Sequence, residues 1–77
     1  MKQVKIRLNT IPQVQNFVNT ITRFTSDVDL SSGRYVVDAK SIMGIFSLNL
    51  MQPVNLTASG VDEEEIIEAI KDLIVEE

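Results

Sequence analysis

The middle of this 77-residue chain reads Lys40-Ser41-Ile42-Met43-Gly44-Ile45-Phe46-Ser47-Leu48, a serine followed by a short apolar run. A serine in that position is typical of a helix N-cap, because its hydroxyl accepts a hydrogen bond from a backbone N–H two or three residues later. We therefore expect a helix that begins after Ser41 and ends near Leu50 or Met51. Gly44 is unfavourable inside a helix, which suggests that another backbone or a partner approaches closely there.

The apolar residues of this helix are too numerous for one face, since they surround the axis almost completely. Two arrangements fit this pattern equally well. Either the helix lies unusually deep, or part of it, namely Ile42, Met43 and Phe46, forms a surface patch that contacts a partner. Ser41 also has a second interpretation besides capping. A phosphate on it would face free N–H groups beside Lys40 and would add charge without unfolding the protein.

Alternation of apolar and polar residues predicts four strands around this segment. They are marked by Val4, Ile6 and Leu8; by residues 27–30; by residues 34–37; and by Val54, Leu56 and Ala58. A small polar connection, residues 31–33, contains a glycine and joins the second and third strands as a hairpin.

Two further helices are predicted from apolar residues at helical spacing. Pro12 suits a first helical turn, and the apolar pattern after it extends to Phe24. Asp62 and Glu65 form an aspartate version of a capping box ahead of a third helix. The resulting order, βαββαβα, predicts an α+β fold: an open-faced sandwich with a four-stranded antiparallel sheet and three helices on one face. Residues 1–77 are expected to form a single domain.

Composition argues against several classes of protein. The absence of cysteine excludes disulfides and thiolate metal sites. A net charge of −4 without clustered basic residues argues against direct nucleic-acid binding. No apolar run approaches the roughly 18 residues of a membrane span, and the N-terminal residues lack a signal-peptide core. We therefore expect a cytoplasmic protein that contacts neither membrane nor nucleic acid.

The residues for common catalytic and metal chemistry are also missing. Without histidine or cysteine, and without a GxSxG or SxxK arrangement, no nucleophilic centre is predicted. Eight acidic residues lie between Asp62 and Glu77, but the run from Asp62 to Glu65 splays around a helix start, where capping explains it better than a metal does. We expect neither an enzyme nor a cofactor or metal site.

Two segments resemble those of HPr proteins, the small phosphocarriers of the bacterial sugar phosphotransferase system. They are Arg23-Phe24-Thr25-Ser26-Asp27-Val28-Asp29-Leu30 and the stretch from Ala39 to Leu48 that contains Ser41, at similar spacing. Residues 62–69 are also similar in pattern, so the resemblance covers nearly the whole chain. It implies a single HPr-like domain with the same open-faced βαββαβα sandwich.

The chain departs from the family in one loop. In HPr proteins the loop between the first strand and the first helix carries a His-x-Arg-Pro-like motif, whose histidine accepts phosphate from enzyme I. Here a shorter loop contains Thr10, Ile11 and Pro12, and the chain has no histidine. A threonine phosphoester lacks the transfer potential of a phosphoimidazole. We therefore interpret this stretch as a degenerate phospho-acceptor loop that cannot relay phosphate to sugar permeases.

The resemblance implies that a regulatory role survives this loss. In Gram-positive relatives the serine that matches Ser41 is phosphorylated by the ATP-dependent HPr kinase/phosphorylase, and the phosphoprotein is a corepressor for a catabolite-control transcription factor. The family's partner contacts carry over to Ile42, Met43 and Phe46, beside Lys40. One alternative is a diverged phosphotransferase component that docks enzyme I or permease domains without carrying phosphate. Another is an HPr-fold module recruited to an unrelated pathway.

Overall fold

A computed structural model describes residues 1–75 and contains the predicted order of elements. The strands are β1 (Lys2–Ile6), β2 (Asp27–Ser32), β3 (Tyr35–Asp38) and β4 (Val54–Ser59). The helices are α1 (Ile11–Ile21), α2 (Ile42–Phe46) and α3 (Glu63–Ala69), with a short 3₁₀ helix at Lys71–Leu73. The strands form one antiparallel sheet in the order β1-β4-β2-β3, so the predicted α+β open-faced sandwich is confirmed.

Strand register places the apolar residues of neighbouring strands on one face of the sheet. Leu56 in the central strand β4 lies opposite Val4 of β1 on one side and opposite Leu30 of β2 on the other. Because successive side chains point to opposite faces, this register gives a dry face that the helices cover and a polar face. The buried core contains Ile6, Leu8, Val14, Phe17, Ile21, Val28, Leu30, Ala39, Ile45, Leu48, Val54, Leu56, Ala58, Ile66 and Ile70.

Two helices end earlier than their apolar patterns predict. The first ends at Ile21 and not at Phe24, because the N–H groups of Arg23 and Phe24 bond to carbonyls only three residues back. The second ends at Phe46 and not near Leu50, where the N–H groups of Ser47 and Leu48 do the same. These tighter bonds end both helices while their apolar side chains still reach the core.

The β2–β3 hairpin has a shorter connection than predicted. Ser31 and Ser32 belong to β2, and only Gly33 and Arg34 connect the strands, with Ser32 opposite Tyr35. Gly33 occupies the first central position of this two-residue turn with φ 60°, which a glycine adopts without strain. The hairpin prediction is confirmed, and the strand boundaries move by one or two residues.

The capping box predicted at Asp62 is wrong. Asp62 occupies the N-cap position of α3, but its side chain makes no capping bond to that helix. Its carboxylate instead accepts hydrogen bonds from the backbone N–H groups of Thr25 and Ser26 (3.1 and 3.2 Å) and from the Ser26 hydroxyl. The backbone N–H of Asp62 donates in return to the Ser26 hydroxyl at 3.2 Å. We call this pair the Ser26–Asp62 clip; it joins the start of β2 to the start of α3.

Within residues 1–75, every helix is too short or too polar to cross a lipid bilayer.

Candidate functional site

Ser41 lies at the surface in the N-cap position of α2. Its hydroxyl accepts a hydrogen bond from the backbone N–H of Gly44 at 3.2 Å, as the sequence predicts. Its backbone N–H donates to Asp38 O, and its carbonyl accepts from the N–H of Ile45, both at 3.0 Å. The main chain of Ser41 is therefore held on both sides, while the residue as a whole is exposed to solvent.

Gly44 is closely approached from within the molecule. A Cβ at this position would lie 3.3 Å from both Ser41 Oγ and Val37 Cβ. The sequence predicts that another backbone or a partner approaches this glycine; the structure instead places two side chains of the same chain there, one on β3 and one at the helix start. Its small size lets α2 pack tightly on β3 and leaves room for the capping hydroxyl.

The three predicted docking residues of α2 have different surroundings. Met43 is 82% exposed and Phe46 is 46% exposed. Ile42 is partly buried and packs against the core, while Ile45 is fully buried. Of the two arrangements that the sequence left open, the structure therefore supports an exposed patch, but its apolar surface comes chiefly from Met43 and Phe46.

Lys40, predicted to contact partners, has a structural bond as well. Its Nζ donates to the carbonyl oxygen of Phe24 at 2.8 Å, and the residue is half-buried. Its backbone N–H donates to the Asp38 carboxylate at 2.9 Å. The ammonium therefore ties the segment before α2 to the chain that follows α1, a contact that only the tertiary structure reveals.

A second serine hydroxyl lies at the other end of α2. Ser47 is exposed, and its hydroxyl donates to the carbonyl of Gly44 at 2.5 Å. The two hydroxyls thus bond to the two backbone groups of the same glycine, with Ser41 accepting and Ser47 donating. Ser47 was not singled out from the sequence, and it provides an internal comparison for any modification of Ser41.

The degenerate loop has a well-defined structure. Thr10 is the N-cap of α1, and its hydroxyl accepts from the N–H of Gln13 at 3.2 Å. The side-chain oxygen of Gln13 accepts from the N–H of Thr10 in return, which completes a capping box. The sequence signal for this, a threonine with a glutamine three residues later, is present and was missed. Ile11 is exposed, and Pro12 lies in the first turn as predicted.

An open cleft of about 470 Å³ lies between this loop and the segment after α2. Asn9 lines one side, and residues 48–51 line the other. Met51 at its rim is exposed. The loop that corresponds to the phospho-acceptor loop of the family is therefore close to the α2 region, although no side chain in it has the chemistry of an imidazole.

Carboxylates at the start of α3 are used for structure. The Ser26 hydroxyl, which donates to Asp62, and the N–H groups of Thr25 and Ser26 lower the pKa of that carboxyl below its ordinary value of 3.8. The N-terminal ammonium and the N–H of Gly60 lower the pKa of Glu63 below 4.5, and its carboxylate lies 3.1 Å from that ammonium. Among residues 1–75, no three acidic side chains converge as metal ligands.

Comparisons with known proteins agree with this geometry. A family model described as the PTS HPr component phosphorylation site matches residues 13–76. The HPr-like protein Crh of Bacillus subtilis is 41% identical, with 99% of this chain and 95% of the relative covered. The HPr-like protein Crh of Halalkalibacterium halodurans is 38% identical, over 90% and 88%.

Solved structures give the same result. The crystal structure of HPr-C-His from Thermoanaerobacter tengcongensis superposes with a TM-score of 0.84 at 41% identity, over 96% of this chain and 91% of that one. The family model, the similar sequences and the similar structure therefore all indicate HPr proteins, and each covers most of this chain. The chain belongs to the HPr family of the phosphotransferase system, as an HPr-like protein of the Crh type that has no histidine.

Proposed function

We propose that this protein is regulated by phosphorylation of Ser41, and that the phosphorylated form docks regulatory partners of carbon catabolite control. HPr kinase/phosphorylase would add the phosphate, and a catabolite-control transcription factor would bind the product. The proposal includes that the protein has no catalytic activity of its own, acts in the cytoplasm as a single domain, and does not relay phosphate through a histidine.

The position of Ser41, an exposed residue on the same short helix as an exposed apolar patch, is the observation that supports this proposal. The hydroxyl is free to react because it only accepts a bond from Gly44 N–H and donates none to a described residue. Met43 and Phe46 lie within one helical turn or two of it, on the same short helix. A kinase can therefore reach the hydroxyl, and a partner can read the phosphate together with apolar contacts.

Charge at this position is compatible with the fold. A phosphate adds about −1.5 to −2 charges at neutral pH, and the first turn of α2 contains no acidic residue. The phosphate would lie near the N–H of Gly44 and need not displace any buried group. Phosphorylation is therefore expected to change the surface seen by partners and to leave the core unchanged. In the docked state Lys40, Ile42, Met43 and Phe46 are the proposed contact residues.

Incubation with HPr kinase and ATP, followed by mass spectrometry, tests the proposed modification. We expect one phosphate on Ser41, none in Ser41→Ala, and an undiminished yield in Ser47→Ala, which removes the other hydroxyl of the same helix. A wild-type protein that stays unmodified, or a phosphate that persists in Ser41→Ala, would reject the proposal.

The alternative, docking of enzyme I or a permease domain without phosphate transfer, is favoured by a separate observation. Ile11 is exposed in the degenerate loop, and Met51 is exposed at the cleft that Asn9 lines on its other side. Titration against enzyme I separates the two proposals. The regulatory proposal predicts weak or no binding, whereas tight binding that Ile11→Lys abolishes would favour the alternative. Neither proposal includes phosphate relay, because Thr10 is a capping hydroxyl with no neighbouring imidazole.

A further inference from the structure

The sulfur atoms of this chain lie at its surface. The sequence contains three methionines and no cysteine, so methionine thioethers are its only sulfur groups. Met1, Met43 and Met51 are 83%, 82% and 87% exposed, although methionine is usually a buried residue. An oxidant in solution can therefore reach all three side chains, because exposure controls how readily a sulfur group is oxidised.

Met43 is the only one of the three that belongs to the helix that Ser41 caps. It occupies the second position of α2, two residues after Ser41 and three before Phe46. Residues three apart lie on the same side of a helix, so the thioether of Met43 and the ring of Phe46 contribute to one exposed surface. Ile45, in contrast, is fully buried. A chemical change at Met43 therefore alters the exposed surface of the helix that begins at Ser41.

Oxidation at Met43 would change the polarity of this surface without a change in the core. A sulfoxide replaces a flexible apolar thioether by a polar group, whose oxygen accepts hydrogen bonds. At a buried methionine that change disrupts packing, but the exposed side chain of Met43 stays in water. In a complex, an apolar partner surface would have to desolvate the same oxygen, which is unfavourable unless a donor meets it. The modification therefore acts on docking and leaves the fold intact.

We infer that Met43 is a redox modification site, and that its oxidation to the sulfoxide by a peroxide prevents docking of the protein phosphorylated on Ser41. In this step a lone pair of the Met43 sulfur attacks one oxygen of hydrogen peroxide, so an S–O bond forms as the O–O bond breaks. The departing hydroxide takes the proton of the transferred oxygen and leaves as water. The sulfur loses a pair of electrons, and the peroxide gains it. Methionine sulfoxide reductases, with a dithiol as the reductant, reverse the change.

This inference rests on the proposed function, because it needs a partner that docks on α2. It adds a second control of the same surface. Phosphorylation of Ser41 supplies the charge that a partner binds, and oxidation of Met43 removes an apolar contact on the same helix. A peroxide would therefore release the partner while the phosphate remains on Ser41. Met51 is the internal comparison, since it is as exposed as Met43 but lines the cleft after α2 has ended.

Peroxide treatment of the phosphorylated protein tests the inference, with catalase added before the catabolite-control factor is titrated in a calorimeter. We expect mass spectrometry to find the sulfoxide at Met1, Met43 and Met51, and the affinity to fall at least about tenfold. Urea unfolding should give a nearly unchanged midpoint, because no buried side chain is altered. Reduction by the two epimer-specific methionine sulfoxide reductases should restore the affinity.

A matched pair of variants assigns the effect to one sulfur atom. Met43→Leu keeps an apolar side chain of similar size that a peroxide does not oxidise, so its affinity should stay the same after treatment. Met51→Leu should lose affinity on treatment, as the wild type does. A treated wild type that binds as tightly as the untreated one, or a loss that persists in Met43→Leu, would overturn the inference. Failure of the untreated phosphoprotein to bind the factor would reject the proposed function, and this inference with it.

Discussion

Ser26 and Ser41 are both followed by regular structure, yet their hydroxyls have opposite surroundings. Ser26 is 4% exposed, and its hydroxyl both donates to the Asp62 carboxylate and accepts from the Asp62 N–H. Ser41 is exposed, and its hydroxyl accepts one local N–H. The first hydroxyl holds two distant segments together, and the second bonds only within its own helix. Burial and the reach of the hydrogen bonds therefore separate a structural serine from a candidate regulatory one.

Gly60→Ala is expected to cause the largest loss of stability, because it disturbs the buried surroundings of Ser26. A Cβ at Gly60 would lie 2.5 Å from Ser26 Cβ and 2.9 Å from Ser26 Cα, and φ at this residue is 151°. Overlap with backbone together with an unfavourable φ should lower the free energy of unfolding by about 3 kcal/mol. Urea unfolding measures this loss in free energy.

Gly33→Ala is the control for this prediction. Gly33 also has a positive φ, but nothing lies within 4 Å of an added Cβ. Gly33→Ala should lower the free energy of unfolding by about 1–2 kcal/mol, from backbone strain alone. Equal losses for the two variants would contradict the view that contact with Ser26 dominates at Gly60.

Acid titration should weaken the Ser26–Asp62 clip. The folded pKa of Asp62 lies below its ordinary value of 3.8, so the native carboxylate binds a proton less readily than the unfolded one. Its stabilisation is complete above pH 3.8 and is lost as the pH falls through the lower folded value. The urea midpoint of wild type should therefore exceed that of Asp62→Asn near neutrality and approach it in acid.

Glu63→Gln separates the contribution of the neighbouring carboxylate. The pKa of Glu63 is lowered in the same direction from 4.5, by the N-terminal ammonium and the Gly60 N–H. In this variant the urea midpoint should still fall in acid, because the Asp62 carboxylate of the Ser26–Asp62 clip is still present and can be protonated. A flat profile in Glu63→Gln and an unchanged one in Asp62→Asn would assign the pH dependence to Glu63 instead.

Ser41→Ala tests the exposed serine and should lower stability less than Gly60→Ala does. It removes one N-cap bond, which lowers the free energy of unfolding by about 1 kcal/mol. Ser41→Asp keeps a capping oxygen and should restore most of that loss while adding charge. Thermal and urea unfolding of both variants measure this, and a loss in Ser41→Ala as large as that in Gly60→Ala would contradict the comparison.

Met43→Lys should have the smallest effect on stability. The side chain is 82% exposed, so the free energy of unfolding should change by less than about 0.5 kcal/mol. If the apolar patch docks partners as proposed, binding of phosphorylated protein to the catabolite-control factor should nevertheless weaken at least about tenfold, as the loss of a central apolar contact does. Calorimetric titration with Val61→Lys as control measures this, and equal affinities would exclude Met43 as a contact.

Much of the fold follows from local sequence patterns. The alternation at Val54, Leu56 and Ala58 predicts a half-buried strand, and the structure buries all three residues. The Ser41 cap is likewise local, because its partner is only three residues away. The Thr10–Gln13 capping box was equally predictable, since both of its bonds join residues three apart, and its sequence signal was overlooked.

Long-range contacts explain the predictions that were wrong. Asp62 has the sequence signature of a cap, but Thr25 and Ser26 offer it N–H groups from 37 and 36 residues away. Sequence spacing alone does not reveal that these N–H groups, and not those of α3, will bond to the Asp62 carboxylate. The partial burial of Ile42 and the bond of Lys40 to the Phe24 carbonyl have the same origin, because neighbouring elements determine which side of a short helix is covered.

The sequence by itself determined the order of strands and helices, the helix cap at Ser41 and the absence of an imidazole, because each depends on residue identity or on neighbours a few positions apart. The tertiary structure decided which hydroxyl is buried, where the helices end, and that within residues 1–75 the chain from Leu73 to Val75 bonds to the β1 side of the sheet while no strand pairs with the outer edge of β3. Those features depend on which distant segments meet when the sheet buries its apolar face, and they are fixed only when the whole chain has folded.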